Sequence, residues 1–276
     1  MVERKKRNTN NFQEFFTNCE HILNYMVSLL DLAEGDSLLE PCSGQGAFID
    51  KILELKLKIN IDAFDLNIEN IKFLNSKYND KEINIKHLDF LLHSNLNKQY
   101  DRIIANPPYG AYQSKDKRNH LKSVYPDLYA KETYGIFLIH SLRMLKKDGR
   151  LVFIIPDTYL NLHMHKGLRE RIINNYTIES ITLFPSKFFP GVNFGYAGLS
   201  IISIVNKTPP SKCSFPVFNN LKSKLDFYEI LKNSKEKFCI GKLNYSEIKN
   251  NSSYAFLLPT EKLITELLNS NLITVG

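Results

Sequence analysis

Short apolar runs alternate with segments of helical period along most of this chain, and that alternation restricts its fold more than any other feature. Ile22, Leu23, Met26, Val27 and Leu30 recur at the spacing of one buried helix face over residues 19–32, with Thr17 and Glu20 set as a capping box ahead of it. Apolar runs follow at Leu38-Leu39, Ile59 to Phe64, Ile83 to Leu88, Tyr100 to Ala105, Leu151 to Ile155, Ile178 to Phe184 and Ala197 to Val205. Helical patterns separate them near residues 68–74, 134–146 and 166–174. The continuous run Leu151 to Ile155 suits a strand buried on both faces. Strands alternating with helices predict an α/β domain: a seven-stranded, mostly parallel sheet with helices on both faces.

The alternation loosens after Pro209-Pro210, a plausible boundary. Residues 1–12 are basic and Asn-rich and are expected to be disordered, 13–206 to form the catalytic domain, and 207–276 to be a linker and C-terminal extension. Residues 109–131 are polar, rich in Lys and Tyr, and without clear period. No apolar stretch approaches the roughly 20 residues of a membrane helix, and the N-terminus lacks a secretory apolar region, so a cytoplasmic protein without a membrane partner is expected. Four scattered cysteines and seven histidines offer no metal-ligand spacing, so no metal is expected; His163 and His165 read as solvated loop residues. The formal net charge of +7 is compatible with a polyanionic partner.

Three clusters carry chemistry. Glu40-Pro41-Cys42-Ser43-Gly44-Gln45-Gly46 follows the first strand, where Gly44 and Gly46 let the chain turn sharply and a ligand approach the backbone. The third glycine of the dinucleotide fingerprint is missing, which disfavours a nicotinamide cofactor. Asp65 ends the second strand about 20 residues on, the separation of a carboxylate that accepts from ribose hydroxyls. Glu40 repels a pyrophosphate but suits an amine; S-adenosylmethionine carries cationic groups and no phosphate.

The third cluster, Asn106-Pro107-Pro108-Tyr109, directly follows the strand Tyr100 to Ala105. Two prolines hold the backbone extended, so the Pro107 carbonyl and the Asn106 side-chain oxygen can accept both hydrogens of one planar amino group. Drawing on both hydrogens makes that nitrogen more nucleophilic. Tyr109 offers a face on which the ring bearing the amine can stack, and on this reading its ring matters more than its hydroxyl.

In order, Phe16-Thr17, Glu40-Pro41-x-x-Gly44-x-Gly46-x-Phe48, Asp65, Asp89-Phe90, Asn106-Pro107-Pro108-Tyr109 and Phe188-Phe189-Pro190 resemble the DNA adenine-N6 methyltransferases of gamma motif order, the TaqI-like enzymes of restriction–modification systems. The resemblance spans residues 12–206. It implies a Rossmann-like S-adenosylmethionine-dependent methyltransferase fold, methyl transfer to the N6 amine of a flipped adenine in double-stranded DNA, and no metal. Thr17 and Glu40 would contact the methionine end of S-adenosylmethionine beside the turn of Pro41, Gly44 and Gly46; Asp65 would hold the ribose, Asp89 the adenine N6 and Phe90 the adenine ring. Asn106, Pro107 and Tyr109 would be catalytic, with Phe189 stacking on the target base opposite Tyr109.

Asn18 and Asn67 depart from the family's usual proline and second acid. A second reading, an N-methyltransferase for a protein glutamine or ribosomal RNA, shares Asn-Pro-Pro-Tyr but usually has Asp in place of Glu40. TaqI-like enzymes carry a target recognition domain after the catalytic one, and residues 271–276 resemble its beginning. Recognition is therefore expected from a longer chain, from a separate recognition or restriction subunit, or from the 109–131 insert.

Overall fold

The computed structural model describes residues 19–93, 97–109, 113–188, 198–210, 212–232 and 235–258. The elements, in order, are α1 (Glu20–Leu30), β1 (Ser37–Glu40), α2 (Ala47–Leu53), β2 (Asn60–Asp65), α3 (Ile68–Lys77), β3 (Ile83–His87), β4 (Tyr100–Ala105), α4 (Lys115–Val124) and α5 (Tyr134–Arg143). Then come β5 (Leu145–Pro156), α6 (Lys166–Asn175), β6 (Thr177–Phe184), β7 (Leu199–Val205), β8 (Ser214–Phe218), α7 (Asp226–Leu231), α8 (Lys235–Phe238), β9 (Cys239–Asn244) and α9 (Tyr245–Asn250). The strand order is β3-β2-β1-β4-β5-β7-β6-β8-β9. β1 to β5 pair in parallel, β7 runs antiparallel between β5 and β6, and β8 lies parallel to β6. β1 is therefore an interior strand, third from one edge, and the chain switches direction across the sheet between β1 and β4, where α/β folds open a crevice at the carboxyl ends of their strands.

The α/β architecture agrees with the expectation, but among the described residues the sheet has nine strands rather than seven. Within the expected linker and C-terminal extension, residues 214–244 join the sheet: β8 and β9 extend it from β6. Residues 253–256 are also tied in. The wholly buried Arg169 donates to the carbonyls of Tyr159, Leu162, Ser253 and Tyr254, and the Phe256 N–H donates to Leu160 at 2.8 Å. The polar insert holds a helix, α4, whose Ser114 cap accepts from the Lys117 N–H; within it only Leu121 is buried.

β5 is apolar and buried from Leu151 to Ile155 between β4 and β7. α1 packs on α2 and α7, while α6 packs on α5 and α9, giving a helix layer for each face of the sheet. The Tyr25 hydroxyl and Thr182 Oγ1, 2.6 Å apart, join α1 to β6. No helix among the described residues is long and apolar enough to cross a membrane.

Candidate active site

The turn between β1 and α2 is held from several sides. The Ser43 N–H donates to the Phe64 carbonyl at 2.9 Å, the Gly44 N–H to Asp65 Oδ2 at 2.7 Å, and the Gly46 N–H to the Ser43 carbonyl at 2.8 Å. Gly44 and Gly46 have φ of 51° and 78°, in the left-handed region. Gly46 is required twice over, because a Cβ there would lie 2.5 Å from the Tyr78 hydroxyl oxygen. That hydroxyl reaches the Gly46 carbonyl and Asp50, and Lys77 reaches the Gln45 carbonyl and Asp50, so α3 braces the turn from outside.

Asp65 also accepts from the Asn67 N–H at 2.7 Å and from Asn70 Nδ2 at 3.2 Å. This carboxylate thus holds the turn as well as standing where a ribose carboxylate is expected. Asn67 caps α3 by accepting from the Glu69 N–H, a task its amide performs as well as an acid would.

Glu40, at the end of β1, is buried, and its Oε2 has no partner among the described residues. Burial first, and then the Asp65 and Asp50 carboxylates, push its carboxyl well above the usual range, with Lys77 opposing them. A buried carboxyl lacking a cation is poorly satisfied, and an incoming ammonium group would supply what it lacks. On this observation the residues of the turn fit S-adenosylmethionine: a left-handed glycine turn, an acid at each neighbouring strand end, and one buried acceptor awaiting a donor.

Asn106 to Tyr109 leave β4 one strand away. Cys42 connects the two clusters. Burial and the nearby Glu40 raise its thiol, and the Asn106 backbone N–H partly offsets them. The Tyr109 ring is 4% exposed, and its hydroxyl reaches both Asn106 Oδ1 and, at 2.7 Å, the Ile154 carbonyl on β5. Beside the ring that the sequence reading stresses, the hydroxyl thus has a structural task, since it links the Asn106 amide to the neighbouring strand.

Asp89 and Phe90 are less open than their expected roles suggest. Asp89 Oδ1 accepts from the Leu91 N–H at 3.2 Å, and Asp89 Oδ2 meets Lys117 Nζ of α4 at 2.5 Å. Phe90 is buried, stacked on Phe137 and met edge-on by His140. Burial lowers the His140 pKa to about 4, which keeps this ring neutral inside the core.

Phe188 is buried against Phe184 and Phe227. Thr17 and Phe189 lie outside the described residues. His165 is buried rather than solvated, with Nε2 at 2.9 Å from the Tyr134 hydroxyl and 3.2 Å from Glu132. Sequence reasoning missed this group, and it missed Lys117 and Cys42, because their partners lie on other elements and follow no short spacing.

Comparison with known proteins bears on this geometry. Residues 5–189 match the family described as Eco57I restriction-modification methylase. Type II methyltransferase M.HincII of Haemophilus influenzae is 33% identical over 218 residues, covering 71% of this chain and 40% of its own length. The chain thus spans well under half of that curated relative. A Vibrio vulnificus protein assigned as the modification subunit of a type I restriction enzyme superposes with a TM-score of 0.69 at 18% identity, over 85% of this chain and 56% of its own. A Listeria monocytogenes protein assigned to the class I S-adenosylmethionine-dependent methyltransferases gives 0.65 at 19%, over 83% and 72%. The last two establish the fold, that of S-adenosylmethionine-dependent methyltransferases.

Proposed function

The chain belongs to the Eco57I restriction-modification methylase family, and from that premise we propose that it transfers a methyl group from S-adenosylmethionine to the N6 amine of adenine in double-stranded DNA. The observation that carries this reading is the meeting of two clusters at adjacent strand ends: the turn around Glu40, and Asn106 joined to Tyr109, with Cys42 between them. When bound, S-adenosylmethionine supplies an electrophilic methyl group on a sulfonium. Glu40 binds the amine at its methionine end, helped by Thr17, and Asp65 orients the ribose while holding Gly44. Asp89 and Phe90 line the adenine end.

On the acceptor side, the target base leaves the duplex, because a paired and stacked amine cannot approach the methyl group. Asn106 Oδ1 and the Pro107 carbonyl accept its two hydrogens. The Tyr109 hydroxyl has one hydrogen and two carbonyl oxygens beside it. A half-turn of the Asn106 amide resolves this: Nδ2 donates to the hydroxyl, the hydroxyl donates to Ile154, and Oδ1 turns toward the amine. Tyr109 then orients Asn106 as well as stacking on the base, with Phe189 on the opposite face; the burial of Phe188 among Phe184 and Phe227 favours Phe189 for that part.

The partners on this reading are duplex DNA and a recognition or restriction subunit of a restriction–modification system. The test is incubation with labelled S-adenosylmethionine and, separately, duplex DNA, transfer RNA, ribosomal RNA and a release-factor-like protein, followed by nucleoside and peptide mass spectrometry. N6-methyldeoxyadenosine is expected. Label confined to cytosine, RNA or a glutamine overturns the reading.

A further inference from the structure

Every ion pair among the described residues lies between Glu20 and Glu179. Residues 19–206 hold 22 Lys and Arg against 21 Asp and Glu, a net charge of +1. Residues 207–258 hold nine lysines against four acids, a net charge of +5 in a much shorter stretch. None of those nine lysines forms an ion pair among the described residues; Lys232 and Lys237 instead lie over the Tyr228 and Phe238 rings at 4.4 and 5.0 Å. The positive excess of the described chain therefore sits on the strands and helices added beyond β7.

Topology places part of that excess on the same edge of the sheet as the site, four strands from β4. β8 runs parallel to β6, β5 and β4, so it ends on the carboxyl edge from which Asn106 and Tyr109 emerge. The described residues of the crossover from β8 to β9, 219–232 and 235–238, start at that edge and carry Lys222, Lys224, Lys232, Lys235 and Lys237 against Asp226, Glu229 and Glu236; the lysines are all exposed except the half-buried Lys224. The crossover is anchored: Phe227 of α7 packs on Phe184 and Phe188, next to the segment that leads to Phe189. Asp226 fixes its first turn by accepting from the Lys222 and Ser223 N–H groups at 2.7 and 2.9 Å.

We propose that residues 219–232 and 235–238 of this crossover form a phosphate-binding surface that holds the DNA duplex near the extruded base. The inference rests on the reading of DNA as substrate. Exposed lysines outside any ion pair gain affinity by releasing counterions from phosphates, and they read no base, so the contact is insensitive to sequence. Positioning a duplex along the edge where one nucleotide must swing out is the task such a surface would perform.

The test compares the parent chain with a variant carrying Lys222→Gln, Lys224→Gln, Lys232→Gln and Lys235→Gln, and with a control carrying Lys58→Gln and Lys207→Gln at the opposite edge of the sheet. Duplex affinity is measured over a range of salt concentrations by fluorescence anisotropy. Thermal melting and calorimetry with S-adenosylmethionine check that the fold and cofactor affinity are unchanged. The fourfold variant should bind more than about tenfold more weakly at low salt, for every duplex alike, and the slope of log affinity against log salt should flatten by about 3 to 4, near 0.9 per lost phosphate contact. The control should keep the parent slope. A fourfold variant that retains the parent slope while the parent binds and methylates DNA overturns this inference alone. Equal flattening in the control overturns the localisation, and a parent with no affinity for duplex DNA overturns both this inference and the DNA reading.

Discussion

The two halves of the carboxyl edge are built in different ways. On the cofactor half, the Ser43, Gly44 and Gly46 N–H groups donate to carbonyls and a carboxylate drawn from within residues 43–65, and α3 braces the outside. On the acceptor half, the Asn106 side chain meets the Tyr109 hydroxyl, which also reaches the Ile154 carbonyl, 45 residues from Tyr109 in sequence. The first arrangement is a turn fixed by backbone groups close in sequence. The second rests on side-chain hydrogen bonds that reach between neighbouring strands. Variants that strike one half and spare the other measure how far the two are independent.

The largest effect is expected from Asn106→Ala. On the proposed reading the side-chain oxygen that draws on the target amine is lost, and removing one such polar group from a reaction site lowers turnover by about 100- to 1,000-fold. Cofactor affinity should remain within about twofold, because the backbone N–H beside Cys42 is untouched by the change. Single-turnover methylation together with calorimetry checks both halves at once. A parallel loss of cofactor affinity would show that the two halves are coupled through Cys42 rather than separate.

Gly46→Ala strikes the other half. The new Cβ would meet the Tyr78 hydroxyl at 2.5 Å and Leu74 Cδ2 at 2.9 Å, on a backbone with φ of +78°. The left-handed conformation costs about 1–2 kcal/mol for alanine, and the crowding adds about 1–3 kcal/mol. Chemical denaturation should show a stability loss in that combined range, with weakened cofactor binding. Methylation at saturating cofactor should recover more fully than in Asn106→Ala. Parent-like stability would mean that Tyr78 moves aside at little cost and that α3 does not brace the turn.

This difference in construction also explains what the sequence disclosed. β1, its glycine turn, β2 and Asp65 are contiguous, and each obeys a local rule, so their places were readable without the fold. Asn-Pro-Pro-Tyr was legible as a motif, but the work of the Tyr109 hydroxyl was not, since Ile154 lies on another strand. β8 was missed because Pro216 interrupts it and Pro209-Pro210 precedes it, both of which read as breaks; tertiary pairing with β6 and β9 overrides them. α4 was missed because a helix with one buried residue leaves no apolar period to detect. His165 looked solvated because nothing in its own neighbourhood announces Tyr134 or Glu132.

The smallest effect, and the one that sharpens the comparison most, is expected from Glu40→Gln. Glu40 has its pKa raised mainly by burial, so the native chain binds a proton there that the unfolded chain has released. Between the ordinary carboxyl pKa and the raised one, this group therefore makes stability fall as pH increases. Glutamine cannot ionise, so thermal melts of the variant without cofactor should match the parent near pH 4 and exceed it increasingly toward pH 8. Cofactor binding has the opposite sign. A ligand ammonium favours the carboxylate, so parent affinity should rise with pH through the raised pKa, with one proton released on binding. The variant should bind about tenfold more weakly and without that pH dependence, the scale of one hydrogen bond to a charged group. Calorimetry in two buffers of different ionisation enthalpy reads the proton directly. Pairing of gained stability with lost affinity would identify Glu40 as strain held for the ligand, whereas equal affinity and no proton release would remove Glu40 from the amine site while leaving the glycine turn and Asp65 intact.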